Sequence, residues 1–243
     1  MTEKDLDGRV IVVTGASRGI GAAAARNAAA RGAHVIAVAR TVGGLEELDD
    51  DIQKAGGDTT LVPFDLTDYA AIDRLGAAIN ERWGRLDGLI GNAGVLGILS
   101  PLAHIDPKVF ENAVAVNVTA NYRLIRSLDP LLRQSDAGRV VMVSSGAARS
   151  ARAYWGLYAL TKAALDTMVK SYAGELAKTS VKANAFYPGI VRTKMRAQAM
   201  PGEDPDTLPH PDEVAPRLVD MVAPAYRENG MLFDAGKGTT EAL

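Results

Sequence analysis

The stretch Arg9-Val-Ile-Val-Val-Thr-Gly-Ala-Ser-Arg-Gly-Ile-Gly21 consists of a short apolar run followed by a glycine-rich turn. The run over 9–14 is typical of a buried strand in a parallel sheet. An alanine-rich segment follows and predicts a helix over about 19–31. A strand, a glycine turn and a helix in this order begin a βαβ unit, and repeats of this unit predict the rest of the fold.

Apolar runs alternate with helical patterns over the remaining chain. We predict further strands over 33–39, 60–64, 86–90, 139–143, 182–187 and 231–233. We predict further helices over 42–55 and over 154–178, and another that begins after a cap at Thr67 or Asp68 and ends at Trp83. A long helix is predicted over 107–133 after a cap at Asp106, and Pro130 should kink this helix or end it early. This alternation predicts one α/β domain over 1–243, with a doubly wound parallel sheet and helices on both faces. Four prolines within 200–211 predict an ordered loop or lid there.

Composition narrows the classes of partner and chemistry. The chain has 243 residues, of which 47% are hydrophobic and 23% charged, and its net charge is −2. Because no basic stripe is present, nucleic acid and membranes are not expected as partners. The lack of cysteine excludes disulfides and thiolate chemistry, and three scattered histidines suggest no metal site. Polar first residues, and no apolar run near the ~20 residues of a membrane span, predict a cytoplasmic protein.

The glycine turn predicts a dinucleotide site. Its glycines let the backbone approach a pyrophosphate, and the helix N-terminus presents free N–H groups. A helix start with packing glycines is the alternative, but the position after the first strand favours a dinucleotide. After the second strand, Arg40 stands where an acid would hold the 2′-hydroxyl of NAD. Arg40 and Arg18 suit a 2′-phosphate, so NADP(H) is expected rather than NAD(H), unless both are solvated surface residues.

Tyr158 and Lys162 stand four residues apart, so a helix would place both side chains on one face. An ammonium group beside a phenol favours the phenolate, and we therefore expect the pKa of Tyr158 to fall from its reference near ~10. A phenol tuned in this way can exchange protons with an alcohol or a carbonyl oxygen. An exposed helix pair is the alternative interpretation of this spacing.

The chain resembles the short-chain dehydrogenase/reductase family nearly end to end. The segment 14–21 is similar to its cofactor turn, Asp65 to its adenine-contacting acid, and 188–193 to its nicotinamide-holding segment. The resemblance implies a Rossmann-type sheet with strand order 3-2-1-4-5-6-7. It also implies a cofactor half over about 1–135, and a catalytic and substrate half over about 136–243 with a lid at about 193–211. The implied cofactor-binding residues are Gly15, Ser17, Arg18, Gly19, Ile20, Gly21, Arg40, Asp65, Leu66, Asn92, Ala93, Gly94, Tyr158, Lys162, Pro188, Gly189, Ile190 and Thr193.

The same resemblance implies a catalytic tetrad and a reaction, the transfer of a hydride between the nicotinamide and a carbonyl or alcohol. Tyr158 would be the general acid/base, and Lys162 would lower its pKa and grip the nicotinamide ribose. Ser145 would bind the substrate oxygen, and its spacing of thirteen residues from Tyr158 favours it over Ser144. Asn117 would hold a water that links Lys162 to solvent.

Several segments are similar to a narrower branch of this family, the bacterial YciK-like oxidoreductases. They include 86–88, 92–97, 135–138, 192–197 and 230–235. The branch does not identify a substrate. Two departures from the wider family stand out, namely Gly91 in place of an asparagine and Phe233-Asp-Ala-Gly236 in place of Val-Asp-Gly-Gly.

Segments after the fourth, fifth and sixth strands are expected to border the substrate. The candidates are Leu96, Ile98, Ala147, Arg149, Arg152, Trp155, Ile190, Met195 and Met200. Most are apolar, which favours a moderately hydrophobic ketone or alcohol. Arg149 and Arg152 either bind an anionic group of the substrate or form a pair of surface or interface residues.

Other functions and an oligomeric state are also open at this point. A non-catalytic NADP(H)-binding sensor or scaffold on the same fold is the main alternative. An isomerase or dehydratase with a tightly held cofactor is a further one. The resemblance implies a homodimer or homotetramer formed through the helices over 107–133 and 154–178.

Overall fold

The computed structural model describes residues 4–243, which form a single α/β domain. Its strands are β1 (Val10–Thr14), β2 (His34–Ala39), β3 (Asp58–Pro63), β4 (Gly88–Gly91), β5 (Arg139–Val143), β6 (Lys182–Tyr187), β7 (Met231–Asp234) and β8 (Thr239–Ala242). They form one sheet in the order β3-β2-β1-β4-β5-β6-β7-β8, in which β1 to β7 are parallel and β8 is antiparallel to β7. The predicted class and the order 3-2-1-4-5-6-7 are confirmed, and β8 extends the sheet by an edge strand that the pattern does not predict.

The helices lie on both faces of this sheet. They are α1 (Gly19–Ala30), α2 (Val42–Lys54), α3 (Tyr69–Trp83), α4 (Pro107–Val114), α5 (Ala120–Leu132), α6 (Ala147–Ser150), α7 (Gly156–Glu175), α8 (Lys194–Ala199) and α9 (Pro211–Asp220). Within residues 4–243, no helix combines the length and the hydropathy that a membrane span requires.

Residues that alternate along β1 pack against opposite faces of the sheet. Val10 and Val12 belong to the core beneath α3, α5 and α7, whereas Ile11 and Val13 belong to the core beneath α1, α2 and α9. A strand covered on both faces must be apolar at every position. The uninterrupted apolar run in the sequence is therefore explained by its central place in the sheet.

The helix predicted over 107–133 is divided by a π-helical turn over Ala115–Thr119. Such a turn inserts a residue into the helical repeat, so a search for regular periodicity does not detect it. The early end predicted at Pro130 is not observed, because α5 continues through this proline to Leu132, and the kink stays a prediction.

The helix predicted over 154–178 begins later than expected, at Gly156, and ends at Glu175. Tyr154 lies outside α7 because its φ is +71°, and its carbonyl accepts a hydrogen bond of 3.0 Å from the Ser100 amide. The pattern also does not predict α6, α8 and α9, which are short. Within 200–211, which we expected to be a loop or lid, only the 3₁₀ turn Pro205–Thr207 and the first residue of α9 are helical.

Asp87, which is 2% exposed, joins separate segments at the amino-terminal edge of the sheet. Its carboxylate accepts hydrogen bonds from the Val10 amide at 2.9 Å, the Ser135 hydroxyl at 2.6 Å and Arg9 at 3.2 Å. Arg85 donates to the same carboxylate at 3.2 Å. Removing a buried carboxylate with this many donors is expected to lower the free energy of unfolding by more than removing one partner of an exposed ion pair.

We predict that Asp87→Ala lowers the free energy of unfolding by ~3 kcal/mol, because it leaves buried donors without a partner. Asp136→Ala is the matched control, since Asp136 also pairs with Arg9 but has a side chain that is 77% exposed. It is expected to cost less than ~1 kcal/mol. Urea unfolding of both variants measures the difference, and equal losses would contradict this account of Asp87.

Candidate active site

A cleft with a volume of about 1270 Å³ lies at the carboxyl ends of the parallel strands. Loops that follow parallel strands meet at this edge, which is why segments distant in sequence come together there. The predicted site residues that line it are Gly15, Ser17, Arg18, Gly19, Ile20, Arg40, Asp65, Leu66, Asn92, Ala93, Gly94, Ser145, Tyr158, Lys162, Pro188, Gly189, Ile190 and Thr193. Gly21 and Asn117 are absent from the lining, but both contact segments that line the cleft.

The glycine turn has backbone conformations and contacts that require glycine. Gly15 and Gly19 have φ values of +66° and +57°, which side chains rarely adopt. A Cβ on Gly21 would overlap the Gly15 carbonyl and lie 2.5 Å from the Asn92 side-chain nitrogen. Glycine at 21 therefore lets the start of α1 pack directly against the turn.

Thr14 and Asn92 hold this turn against the end of β4. The Thr14 hydroxyl accepts hydrogen bonds from the Asn92 and Ala93 amides at 3.0 and 3.1 Å. The Asn92 side chain donates to the Thr14 carbonyl at 3.0 Å. Thr14 is buried and supports the turn, although its residue type alone does not identify it as a site residue. The Asn92 side-chain amide forms its hydrogen bond with the backbone of the turn.

Arg40 and Asp65 lie together at the end of the cleft near β2 and β3. Arg40 donates to the Asp65 carboxylate at 3.2 Å; the Arg40 side chain is largely exposed and the Asp65 side chain is partly buried. Partial burial raises the pKa of Asp65, but hydrogen bonds from Thr67 and Arg40 outweigh it and hold the pKa below its usual value. The pair thus places a guanidinium and an ionised carboxylate side by side at this end of the cleft.

Tyr158 and Lys162 lie one turn apart on α7, as the spacing predicts, but they are buried and not an exposed helix pair. Lys162 is 3% exposed, and its ammonium donates a hydrogen bond of 2.7 Å to the Val143 carbonyl. The same nitrogen lies 5.8 Å from the centroid of the Tyr158 ring. Trp155 lies beside this ring in an inclined, edge-to-face arrangement, with 6.3 Å between the ring centroids.

The expectation that Lys162 lowers the pKa of Tyr158 is wrong in this structure. Burial raises the pKa of Tyr158 to about 12, the Ser145 hydroxyl lowers it in part, and Tyr187 raises it further. Burial also lowers the pKa of Lys162 to about 8, against the opposing effect of Asp166. Loss of water is the largest cause at both groups, and the Lys162 ammonium donates its hydrogen bond to the Val143 carbonyl rather than to the Tyr158 hydroxyl.

Asn117 lies in the π-helical turn, and its side chain forms hydrogen bonds with Val95 and Thr161. Its amide oxygen accepts from the Val95 amide at 2.8 Å, and its amide nitrogen donates to the Val95 carbonyl and the Thr161 hydroxyl, each at 2.9 Å. Asn117 thereby ties α7 to the segment after β4. The proposed water between Asn117 and Lys162 stays a prediction.

Ser145 is placed as predicted beside the Tyr158 hydroxyl, and its own hydroxyl accepts from the Ala147 amide at 3.2 Å. Its neighbour Ser144 also lines the cleft, but it is only 3% exposed and lies near Asp166. This difference favours Ser145 as the serine that meets a substrate.

The expected substrate residues are only partly brought together. Leu96, Trp155, Ile190 and Met195 line the cleft, whereas Ile98, Ala147, Arg152 and Met200 are absent from its lining. Arg149 forms an ion pair with Glu241 of β8. Tyr187, at the end of β6, lines the cleft close to Ser145 and was not among the candidates.

The model of the short chain dehydrogenase family matches residues 9–204. The chain belongs to the short chain dehydrogenase family. It is 38% identical over 237 residues to the oxidoreductase YciK of Escherichia coli K12, covering 96% of this chain and 94% of YciK. The predicted resemblance to the family and to its YciK-like branch is confirmed.

Solved structures of family members share the whole fold. A short chain dehydrogenase from Pseudomonas syringae superposes with a TM-score of 0.92 at 39% identity, with 96% of each chain covered. A short chain dehydrogenase from Escherichia coli CFT073, complexed with NADPH, superposes with a TM-score of 0.91 at 38% identity, covering 96% of this chain and 99% of the other.

Burial of the Lys162 ammonium predicts a pH-dependent stability difference. The pKa of Lys162 is about 8 in the folded protein against a usual value of 10.5, so the unfolded chain binds more protons between these values. Stability of the wild type should therefore rise relative to Lys162→Met by roughly 2 kcal/mol between pH 7 and 9.5. Lys170→Met, exposed on the same helix, is the control without such a trend. Chemical unfolding across this range provides the measurement, and a constant difference would refute the prediction.

Proposed function

We propose that the protein is an NADP(H)-dependent carbonyl reductase or alcohol dehydrogenase, with Tyr158 as its general acid/base. One observation carries this proposal: Tyr158 and Ser145 line the same cleft as the glycine turn. A proton donor, a hydrogen-bonding hydroxyl and a phosphate-binding backbone are thus available to one bound pair of cofactor and substrate.

The residues of the cleft fit a dinucleotide. Gly15 and Gly21 leave the turn at the start of α1 without side chains, so that free N–H groups can approach phosphate oxygens. Thr193, at the start of α8, faces this turn from the other side, 3.6 Å from the position of a Cβ on Gly19. A nicotinamide cofactor bound here supplies the hydride.

The catalytic step requires a proton that Tyr158 is suited to deliver. With its pKa raised to about 12, the phenol stays protonated at neutral pH and can donate to the oxygen of a carbonyl as that carbonyl is reduced. Ser145 would donate a second hydrogen bond to the same oxygen and stabilise its developing charge. Lys162 would keep the phenol in place from behind and present a cation to the cofactor ribose. In the oxidation of an alcohol, Tyr158 would first have to lose its proton to solvent, and its phenolate would then accept the proton of the alcohol.

The preference for NADP(H) is proposed from Arg18 and Arg40. Both line the cleft at its adenosine end, and no acid occupies the end of β2. An NADPH complex of the related dehydrogenase from Escherichia coli CFT073 supports this choice. Asp65 would remain paired with Arg40 and orient its guanidinium toward a 2′-phosphate.

We predict that Arg40→Ala weakens NADPH binding at least tenfold, since a charge-assisted hydrogen bond to phosphate is worth about 1.5–3 kcal/mol. NADH binding should change by less than threefold. Arg74→Ala, which removes an exposed arginine on α3 away from the cleft, is the matched control. Titration calorimetry with both cofactors decides, and equal losses for NADPH and NADH would contradict the assignment.

We predict that Tyr158→Phe lowers kcat at least a hundredfold, because it removes the proton donor while it keeps the ring. NADPH oxidation with a panel of aldehydes and ketones provides the measurement, and NADPH binding should be retained. If wild type and variant turn over alike, Tyr158 is not the acid. If the wild type binds NADPH and reduces no carbonyl, the non-catalytic sensor becomes the better function.

Three further parts of the proposal concern the organisation of the protein. The cofactor half is assigned to about 1–135 and the catalytic half to about 136–243, with 193–211 as a lid. The lid is supported by the position of α8 on the cleft and by the ion pair between Arg196 and Glu203 at 2.5 Å. A homodimer or homotetramer stays a prediction, in keeping with exposed Phe110, Tyr122 and Leu160 on α4, α5 and α7.

A further inference from the structure

A side cavity of about 260 Å³ adjoins the active-site cleft on the side that faces β7. Ser145 and Tyr187 line both the cleft and this side cavity. The remaining walls are Gly146, Arg149, Ser150, Leu232, Asp234, Lys237 and Glu241. The residue proposed to bind the substrate oxygen therefore stands at the junction of two spaces.

Tyr187 lies between these spaces because Gly146 has no side chain. A Cβ on Gly146 would come within 2.7 Å of the Tyr187 hydroxyl oxygen, so the phenol occupies the space that a larger residue would fill. The strand register of β6 against β7 pairs Tyr187 with Asp234, which also lines the side cavity. Tyr187 is also one of the groups that raise the pKa of Tyr158, which agrees with a position close to the reacting groups.

The charged residues around the side cavity pair with one another. Arg149 pairs with Glu241, and Lys237 pairs with Asp234 at 3.3 Å. An anionic substrate group would compete with Glu241 or Asp234 for these cations, whereas an uncharged group leaves both ion pairs intact. This favours the interpretation of Arg149 as a surface residue over its interpretation as a binding site for an anionic substrate group.

The volume of the side cavity sets the size of the group that it can hold. Since water occupies about 30 Å³ per molecule in the liquid, 260 Å³ corresponds to roughly nine waters. This is enough for an aromatic ring or a branched alkyl group of about six heavy atoms.

We propose that the side cavity is a second substrate subsite, which takes a compact uncharged substituent of a ketone or of the corresponding secondary alcohol. This inference rests on the proposed function. A carbonyl carbon held at Ser145 and Tyr158 would direct one substituent into the main cleft and the other past Tyr187. The preferred substrates are therefore ketones with two sizeable substituents, and an aldehyde would leave the subsite unused.

The test compares substrates that share one aromatic arm, namely an aromatic aldehyde, its methyl ketone and its phenyl ketone. Ser150→Phe fills the side cavity from an exposed position, so it should not disturb the fold. Ser171→Phe makes the same change at an exposed position on α7 that lines neither space. Thermal melting and NADPH binding verify that both variants are folded.

The expected result is that the ratio of kcat/KM for the phenyl ketone to that for the aldehyde falls at least tenfold in Ser150→Phe. The methyl ketone should be affected less, and Ser171→Phe should keep the wild-type ratio. Leu232→Ala, which enlarges the side cavity, should shift the ratio in the opposite direction. If the wild type reduces all three substrates and Ser150→Phe leaves the ratio unchanged, the subsite is wrong while the proposed function stands. If the wild type reduces none of a broad carbonyl panel, the proposed function itself fails.

Discussion

The buried hydrogen bond from the Lys162 ammonium to the Val143 carbonyl is the contact on which the rest of the site depends. It fixes α7 against the carboxyl end of β5, and Ser145 follows Val143 by only two residues. Tyr158 lies one turn before Lys162, so the same contact brings its hydroxyl to Ser145. Burial of a cation is unfavourable, which is why the pKa of Lys162 falls to about 8. The second support of α7 is the Asn117 amide, which holds Thr161 and the Val95 backbone together.

Much of the fold and of the site can be predicted from local sequence patterns. The apolar run that begins at Val10 predicts a central strand, and the structure explains the run because both faces of this strand are covered. Gly15 and Gly19 predict a tight turn, and the structure explains these glycines by positive φ values that other residues rarely adopt. The spacing of Tyr158 and Lys162 predicts a shared helix face, which α7 provides. These features depend on neighbours in the chain, so periodicity and residue type are sufficient.

Other features depend on contacts between distant segments, which a pattern does not contain. The π-helical turn at Asn117 is held by Val95 and Thr161, and Arg149 is neutralised by Glu241, which lies 92 positions later. The cation four residues away in sequence predicts a lower pKa for Tyr158, but burial raises this pKa to about 12. The Tyr187 hydroxyl occupies space that is free because Gly146 has no side chain. Nothing in the sequence near Tyr187 indicates this contact or the side cavity beside it.

A crystal structure of the protein with NADP bound would test the central claim most directly. We predict the pyrophosphate at the turn over 15–21, the 2′-phosphate at Arg40, and the nicotinamide beside the Tyr158 hydroxyl with Lys162 still bound to Val143. Tyr158 and Lys162 turned away from the nicotinamide, or a cofactor bound outside this cleft, would contradict the account.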